Sequence, residues 1–451
     1  MHNNVNKDII AALATPYGRS AIAAIRISGD GCKAAVEGFL RRPLVDGRLC
    51  FNTFDTGTFT ENLTAVYYRA PRSFTGEDTV ELFPHGNMTV CDGIIKALFS
   101  VGIRAAERGE FTERAFINGK LDLMQCEALA DIIDAETPEQ LVYCNKRYNN
   151  EFGSLSTVRK LLNTALSTVE AVLHYGDELE KEDINEGLPN DVYTALDTMI
   201  AELRAEKDKY ASGRMIKDGF RVALIGLPNV GKSTLLNALT ESDRAIVTAE
   251  AGTTRDTLDG EYIYKNRKFI VTDTAGLNEK AVSEAEKIGI ERARRAAADA
   301  DAVITVVNGN NIADITGYAD AKNHTTEQAA FTVRNKCDGL TDSGTEYAAA
   351  ERDGALEVSA KNGINITALK EKIYSLCPKE LGGICNHRQY DCVIRCLDAC
   401  EAAKRESGKA EGLEIVAALL YEAYTAVAEL YGENADEAVI DSVFSRFCVG
   451  K

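Results

Sequence analysis

The chain has 451 residues, 45% of them apolar and 27% charged, with only 8 prolines, a composition of ordinary globular domains and a length that allows two or three of them. Its formal net charge of -18 argues against a protein that coats nucleic acid by itself, since such binding rests on Lys and Arg displacing counterions. Any RNA contact must be local or shared with a partner. Twelve scattered cysteines with no secretory leader fit a reducing cytoplasm better than a disulfide framework. No apolar run approaches the roughly 18 residues that span a bilayer, so a cytoplasmic protein without a membrane anchor is expected.

From residue 1 to about 120, short apolar stretches such as "AIAAIRIS", "LTAVYY" and "DTVELF" alternate with Gly-bearing turns. This predicts an α+β unit. Between 121 and 217 apolar residues fall at helical spacing, as in "LMQCEALADIIDAE" and "LLNTALSTVEAVLHY", and long helices are expected. The acidic tract "GDELEKED" at 176–183 reads as a solvated helix end or loop. From Phe220 the strand-like runs "RVALIG", "FIVTDT", "AVITVV" and "FTVRN" are separated by helical stretches, the pattern of a doubly wound parallel sheet. Helix returns after Pro378, where Cys392, Cys396 and Cys400 recur at intervals of four. They share one helix face without a recognised metal spacing, and small apolar side chains in a core are their expected role. The helical stretches on either side of the sheet suggest one helical domain, 121–217 with 377–451, into which a nucleotide domain at 218–376 is inserted. Insertion requires only that its termini lie close together.

"GLPNVGKST" at 226–234 carries G-x-x-x-x-G-K-[ST] directly after "RVALI" and before "TLLNAL", the strand, loop and helix context of a phosphate-binding loop. Its glycines let the backbone approach phosphate oxygens, and the amides of Asn229, Val230, Gly231, Lys232, Ser233 and Thr234 lead into a helix N-terminus. Lys232 is expected on the β and γ phosphates and the Ser233 hydroxyl on Mg²⁺. "DTAG", formed by Asp273, Thr274, Ala275 and Gly276, closes the strand "FIVT" and puts a carboxylate beside the metal's water shell. "NKCD" supplies Asn335, Lys336 and Asp338. The Asp338 carboxylate can accept both the imino N–H and the exocyclic amine of guanine, a pair adenine lacks, so GTP is the expected nucleotide. "SAK", formed by Ser359, Ala360 and Lys361, adds a loop against the base. The stretch Thr248, Ala249, Glu250, Ala251, Gly252, Thr253 and Thr254 lies where a mobile switch segment belongs, with Thr254 as a second Mg²⁺ ligand.

In this order over 226–361 the motifs resemble the translation-factor-like GTPases. Leu277 follows "DTAG" where Ras-type GTPases position water with Gln, which implies a different catalytic arrangement. The resemblance narrows to the potassium-activated subgroup. It implies K⁺ held by Asn229, Thr248, Glu250 and Thr253, offsetting developing charge as an arginine finger does; bracing its own loop is the other role open to Asn229.

With "ATPYGRSAIAAIRISG" at 14–29, "SFTGEDTVEL" at 73–82, "RGEFTERAFINGKLDLMQCEALADIIDA" at 108–135 and the terminal "FCVGK" included, the whole chain resembles the MnmE (TrmE) family of potassium-activated tRNA-modification GTPases. The resemblance implies a multidomain α+β and α/β fold: an N-terminal folate-binding-like and dimerising α+β domain at 1–120, the helical domain, and an inserted Ras-like P-loop GTPase domain. It also implies a homodimer that joins an MnmG-like flavoprotein in a heterotetramer. Together they would add an aminomethyl or carboxymethylaminomethyl group at the wobble uridine of certain tRNAs, with formyl- or methylene-tetrahydrofolate as the one-carbon source. Residue by residue, the resemblance puts folate on Arg26, Glu81, Lys120 and Lys451, and a water-positioning role on Glu286. It marks Cys448 as functional and leaves its chemistry open. Without the resemblance, Arg26, Glu81 and Lys120 read as surface or interdomain ion pairs, and Glu286 as an exposed acid at a helix start. The chain departs from the family in "FPHGN" around His85, where the family has H-G-H-G-G, in Ala249 and Glu250, and in Val449 for Ile, the last a mild change. The rival reading is a GTP-dependent RNA or ribosome-assembly switch of the Era-like class, which has no use for a folate-like N-terminal domain or a terminal cysteine.

Overall fold

The computed structural model describes residues 8–175, 184–185, 188–227, 229–241, 259–273, 298–308, 329–339, 351–352, 354–407 and 412–451. Eight strands belong to the N-terminal part: β1 (Ile10–Leu13), β2 (Ser20–Ile22), β3 (Ile25–Ser28), β4 (Cys50–Asp55), β5 (Thr60–Tyr68), β6 (Thr79–Phe83), β7 (His85–Gly86) and β8 (Arg104–Ala105). Six form one sheet in the order β4-β5-β6-β3-β1-β8, while β2 and β7 pair separately. Neighbours are antiparallel except β1 and β8. Alternation along the strands decides which face is covered. Ile25 and Ile27 of β3, with Val80 and Leu82 of β6, pack beneath Ile94 and Leu98 of α2 (Met88–Ser100) and Val36 of α1 (Cys32–Glu37). The intervening Arg26 and its cross-strand neighbour Glu81 therefore share the opposite face.

Short α3 (Glu110–Ile117) leads into α4 (Leu123–Asp134) and α5 (Pro138–Tyr148). Both α4 and α5 open on capping boxes, Asp122 with Gln125 and Thr137 with Gln140, the second with Pro138 in the first turn. Long α6 (Ser154–Tyr175) and α7 (Asn190–Asp218) follow, with the two-residue strands β9 (Ile184–Asn185) and β10 (Leu188–Pro189) between them.

The chain then enters a seven-stranded sheet of order β12-β13-β11-β14-β15-β17-β16, made of β11 (Phe220–Ile225), β12 (Asp259–Tyr264), β13 (Arg267–Asp273), β14 (Ala302–Asn308), β15 (Ala329–Asn335), β16 (Glu351–Arg352) and β17 (Ala355–Glu357). Helix α8 (Lys232–Glu241) follows β11, and α9 (Ile366–Ser375) follows β17. Parallel pairing holds through the middle, where β11 is buried at five of its six positions, as expected of a strand covered on both faces. The edges correct the all-parallel expectation, because β12 and β16 run antiparallel to β13 and β17. Lys265 and Asn266, both at positive φ, make the two-residue turn that joins β12 to β13 as a hairpin.

Helices α10 (His387–Glu406), α11 (Gly412–Tyr431) and α12 (Glu437–Phe444) complete the chain. Leu162 and Val169 of α6, Leu196 and Leu203 of α7, Cys396 of α10 and Leu420 of α11 lie in one core, so segments on both sides of the nucleotide sheet bury a common apolar interior. Cys392, Cys396 and Cys400 are buried in it, the role their spacing predicts. Among the described residues no helix is long and apolar enough to cross a membrane.

Candidate functional site

The loop after β11 turns on Gly226 and Gly231 and enters α8 at Lys232. Gly231 has φ 94°, and a Cβ there would come within 2.4 Å of Asn335 Nδ2, so only glycine lets the two loops touch. Lys232 Nζ donates to the carbonyls of Gly226 at 3.0 Å and Leu227 at 3.2 Å, which places the ammonium inside the loop's concavity. Burial lowers its pKa, and the Asp273 carboxylate opposes that shift. Ser233 Oγ donates to Asp273 Oδ2 at 2.5 Å. The other oxygen, Asp273 Oδ1, is buried with no hydrogen-bond partner among the described residues. An orphaned buried carboxylate oxygen beside a serine hydroxyl fits the ligand preference of a hydrated Mg²⁺.

Beyond β15 the base side is assembled from three segments. Asn335 Nδ2 donates to the carbonyls of Val230 and Gly231, at 3.1 and 3.3 Å. Its Oδ1 accepts from the Ala360 amide at 3.1 Å, so one side chain braces the phosphate loop against the loop of Ser359. Lys336 Nζ donates to the Asn229 carbonyl at 2.5 Å, with both residues at φ 65°. Ser359 Oγ donates to Asp338 Oδ1 at 2.6 Å, which fixes one carboxylate oxygen. Val230 and Ala360 are buried, whereas Asn229, Thr234 and Lys361 are exposed. Thr248, Ala249, Glu250, Ala251, Gly252, Thr253 and Thr254, then Thr274, Ala275 and Gly276, and Glu286 lie outside the described residues.

A second group forms on the N-terminal sheet. Arg26 Nε donates to Glu81 Oε1 at 2.9 Å, and the guanidinium stands 5.3 Å from the Phe74 ring centre and 5.7 Å from that of Phe111. The C-terminal tail reaches this group. Phe447 is buried against Leu123 and Phe444, Val449 bridges to Arg108, and Lys451 lies close enough that Arg26 helps to lower its pKa. Burial is the larger cause there, and Cys448 works against both. Cys448 is the exposed member of the twelve free cysteines. It lines a cavity of about 780 Å³ together with Leu13, Tyr17, Phe99, Phe447 and Lys451, within the size range of cofactor sites. Lys120 Nζ donates instead to the Pro71 carbonyl at 3.0 Å, so the structure pairs Arg26 with Glu81, sets Lys451 on the cavity wall and holds the Lys120 ammonium on a neighbouring loop. His85 Nδ1 lies 2.6 Å from Glu61 Oε1.

Two sets of contacts escaped the sequence reading. Asn335 stood in a recognised motif, but its bracing contacts span more than a hundred residues and leave no local signal. Asp131 stood unnoticed within a helical run. It is buried, and its carboxylate takes Arg147, Lys217 and Arg446.

The chain is similar in sequence to known proteins over its full length. Residues 123–448 match the family described as MnmE helical domain, and residues 9–120 match the GTP-binding protein TrmE N-terminus. The tRNA modification GTPase MnmE of Fervidobacterium nodosum is 34% identical over 473 residues, covering 100% of this chain and 99% of the relative. The protein of that name from Alkalilimnicola ehrlichii is 36% identical over 464 residues, covering 98% and 99%. Among solved structures, Aquifex aeolicus Era bound to GDP and AlF4⁻ is 25% identical with a TM-score of 0.27, covering 40% of this chain and 66% of that one.

Proposed function

The chain belongs to the MnmE family of tRNA modification GTPases, and from that premise we propose that it spends GTP to drive a one-carbon modification of the wobble uridine of certain tRNAs. In this reading a homodimer works in the cytoplasm with an MnmG-like flavoprotein and a formyl- or methylene-tetrahydrofolate. Residues 1–120 form the folate and dimerisation unit, 121–217 with 377–451 the helical unit, and 218–376 the GTPase unit.

One observation carries the reading: the same chain holds a braced phosphate loop beside an orphaned buried carboxylate oxygen and, apart from it, the Arg26–Glu81 pair on the N-terminal sheet and a large cavity lined by Lys451. A nucleotide switch alone has no use for the second. On the GTPase side, Lys232 would leave the loop carbonyls for the β and γ phosphates, Ser233 and Thr254 would hold Mg²⁺ with Asp273 on its water shell, and Asp338 would read guanine. Mg²⁺ neutralises charge on the phosphates when bound, and K⁺ on Asn229 and the loop of Thr248, Glu250 and Thr253 offsets charge that develops in the transition state. Glu286 orients the attacking water. On the N-terminal side, Glu81 would accept paired N–H donors from the pterin ring of a reduced folate while Arg26, Lys451 and Lys120 would meet the carboxylates of its glutamate tail.

Reconstitution with a flavoprotein partner, tetrahydrofolate, GTP and K⁺, followed by mass analysis of the wobble nucleoside, tests the reading. A mass gain that requires both folate and GTP is expected. Hydrolysis of GTP with no change in the nucleoside would leave the Era-like switch as the better account.

A further inference from the structure

Asp131, on α4, is 2% exposed at its side chain and is met by three cations from three parts of the chain. Arg147 Nη1 donates to Oδ2 at 2.6 Å, and Arg446 Nη2 to Oδ1 at 2.7 Å. Lys217 Nζ lies 3.3 Å from Oδ1. Burial works against the charged carboxylate, but Lys217, Arg147 and Arg446 together outweigh it and hold the group below its ordinary pKa.

The positions of these partners matter more than their charge. Lys217 sits in the last turn of α7, two residues before Gly219 at φ 96° and three before β11, where the chain crosses into the nucleotide sheet. Its carbonyl also accepts from Gln140 Nε2 at 2.9 Å. Arg147 Nε donates to the Gly383 carbonyl at 3.3 Å, on the stretch that returns from the sheet to α10. Arg446 is two residues before Cys448 and also approaches Asp134, at 3.6 Å. Both crossings and the C-terminal tail thus converge on one carboxylate. Beside it lies a cleft of about 480 Å³, lined in part by Lys217, Lys268, Asp134 and Arg446, into which these long side chains can move.

We propose that Asp131 is a positioning residue that couples the nucleotide domain to the tail: a shift of the sheet relative to α7 changes how Lys217 shares Asp131 with Arg446, and so resets the segment that carries Cys448. The proposal rests on guanine-nucleotide binding and uses Cys448 as a reporter, so it stands whether or not folate is the one-carbon source.

The test is pulsed alkylation of the full-length protein with iodoacetamide, with the extent at Cys448 read by peptide mass spectrometry. The protein is compared without nucleotide, with GDP, and with GDP plus aluminium fluoride, in Mg²⁺ and K⁺. The Cys448 rate is expected to differ by about fivefold or more between GDP and the transition-state mimic, the usual scale of coupling between sites. Asp131→Asn is expected to remove the difference, but it also leaves Arg147 and Lys217 without their counter-charge. Arg446→Gln is the second variant, because it cuts only the tail arm at a residue 35% exposed; it should flatten the Cys448 response with GTP turnover unchanged, and Arg446→Lys should restore part of it. A wild-type rate that ignores bound nucleotide, or a full response in Arg446→Gln, overturns the proposal. Nucleotide occupancy measured on the same samples tells this apart from failure of the GTPase reading, in which no nucleotide would be bound.

Discussion

A carboxylate that reads a base must be held still, and Ser359 holds Asp338 through one oxygen. Replacing Asp338 by Asn keeps the shape and exchanges one acceptor for a donor, which removes charge-assisted bonds to the guanine N–H groups. At about 1.5–3 kcal/mol for a bond to a charged group, GTP should bind roughly 10- to 100-fold more weakly, while xanthosine triphosphate, which offers a carbonyl in place of the amine, should gain. Titration with fluorescent analogues of both nucleotides checks this, and equal losses for the two would show that the base is read elsewhere. Asn229 poses a different problem, since it combines an exposed side chain with φ 65°. Asn229→Ala confuses loss of the amide with about 1–2 kcal/mol of backbone strain, so Asn229→Gly is the cleaner variant. Turnover should be much faster in K⁺ than in Na⁺ for the parent and equal in the two salts for Asn229→Gly. A retained preference would leave Asn229 as a brace for its loop. The motifs stand out in the sequence at fixed spacing, and the structure brings Ser233 to Asp273, Asn335 to the phosphate loop and Ser359 to Asp338. The double role of Asn335 was not legible there, since its partners Val230 and Ala360 are distant in sequence.

Among the elements, α5 is the platform on which the nucleotide sheet rests. Glu139 pairs with Arg267 and Glu136 with Lys268, both cations standing at the start of β13. Arg267 is almost buried, and the Glu139 side chain is 29% exposed, so Glu139→Ala should cost roughly 1–3 kcal/mol, between the exposed and buried extremes for ion pairs. The loss should appear as faster amide exchange along the β12–β13 hairpin and a lower thermal midpoint, with GTP affinity unchanged. Unaltered exchange would mean that the apolar contacts alone seat the sheet. The helices were legible from their 3.6-residue period, and "TPEQ" at 137–140 is itself a readable start signal for α5. The hairpin was missed because its turn, Lys265 and Asn266, contains no glycine and so carries little of the usual punctuation.

At the scale of the whole molecule, charge is divided unevenly. Residues 1–120 hold 14 Lys and Arg against 13 Asp and Glu, whereas the remaining residues hold 37 against 56. The helices on either side of the sheet that share one core are expected from changes in pattern along the chain, but not the convergence of tail, α4 and sheet crossings on Asp131, because such contacts form only when segments remote in sequence pack. The charge division bears directly on how a tRNA can be held. Each phosphate neutralised adds about -0.7 to -0.9 to the slope of log affinity against log salt, and an acidic body repels the backbone everywhere except near its few basic patches. Two to four phosphate contacts would give a slope of about -1.4 to -3.6, so raising salt from roughly 50 to 200 mM should weaken tRNA binding by about 7- to 150-fold, against 10³ or more for a protein that makes six to ten. Fluorescence anisotropy with a labelled tRNA over a salt series measures the slope for the chain alone and again with the proposed flavoprotein partner. The partner should steepen it by supplying the cations this chain lacks. A slope of about -6 or steeper for the chain alone would mean that a basic surface dominates in spite of the net charge, and that the RNA is not shared.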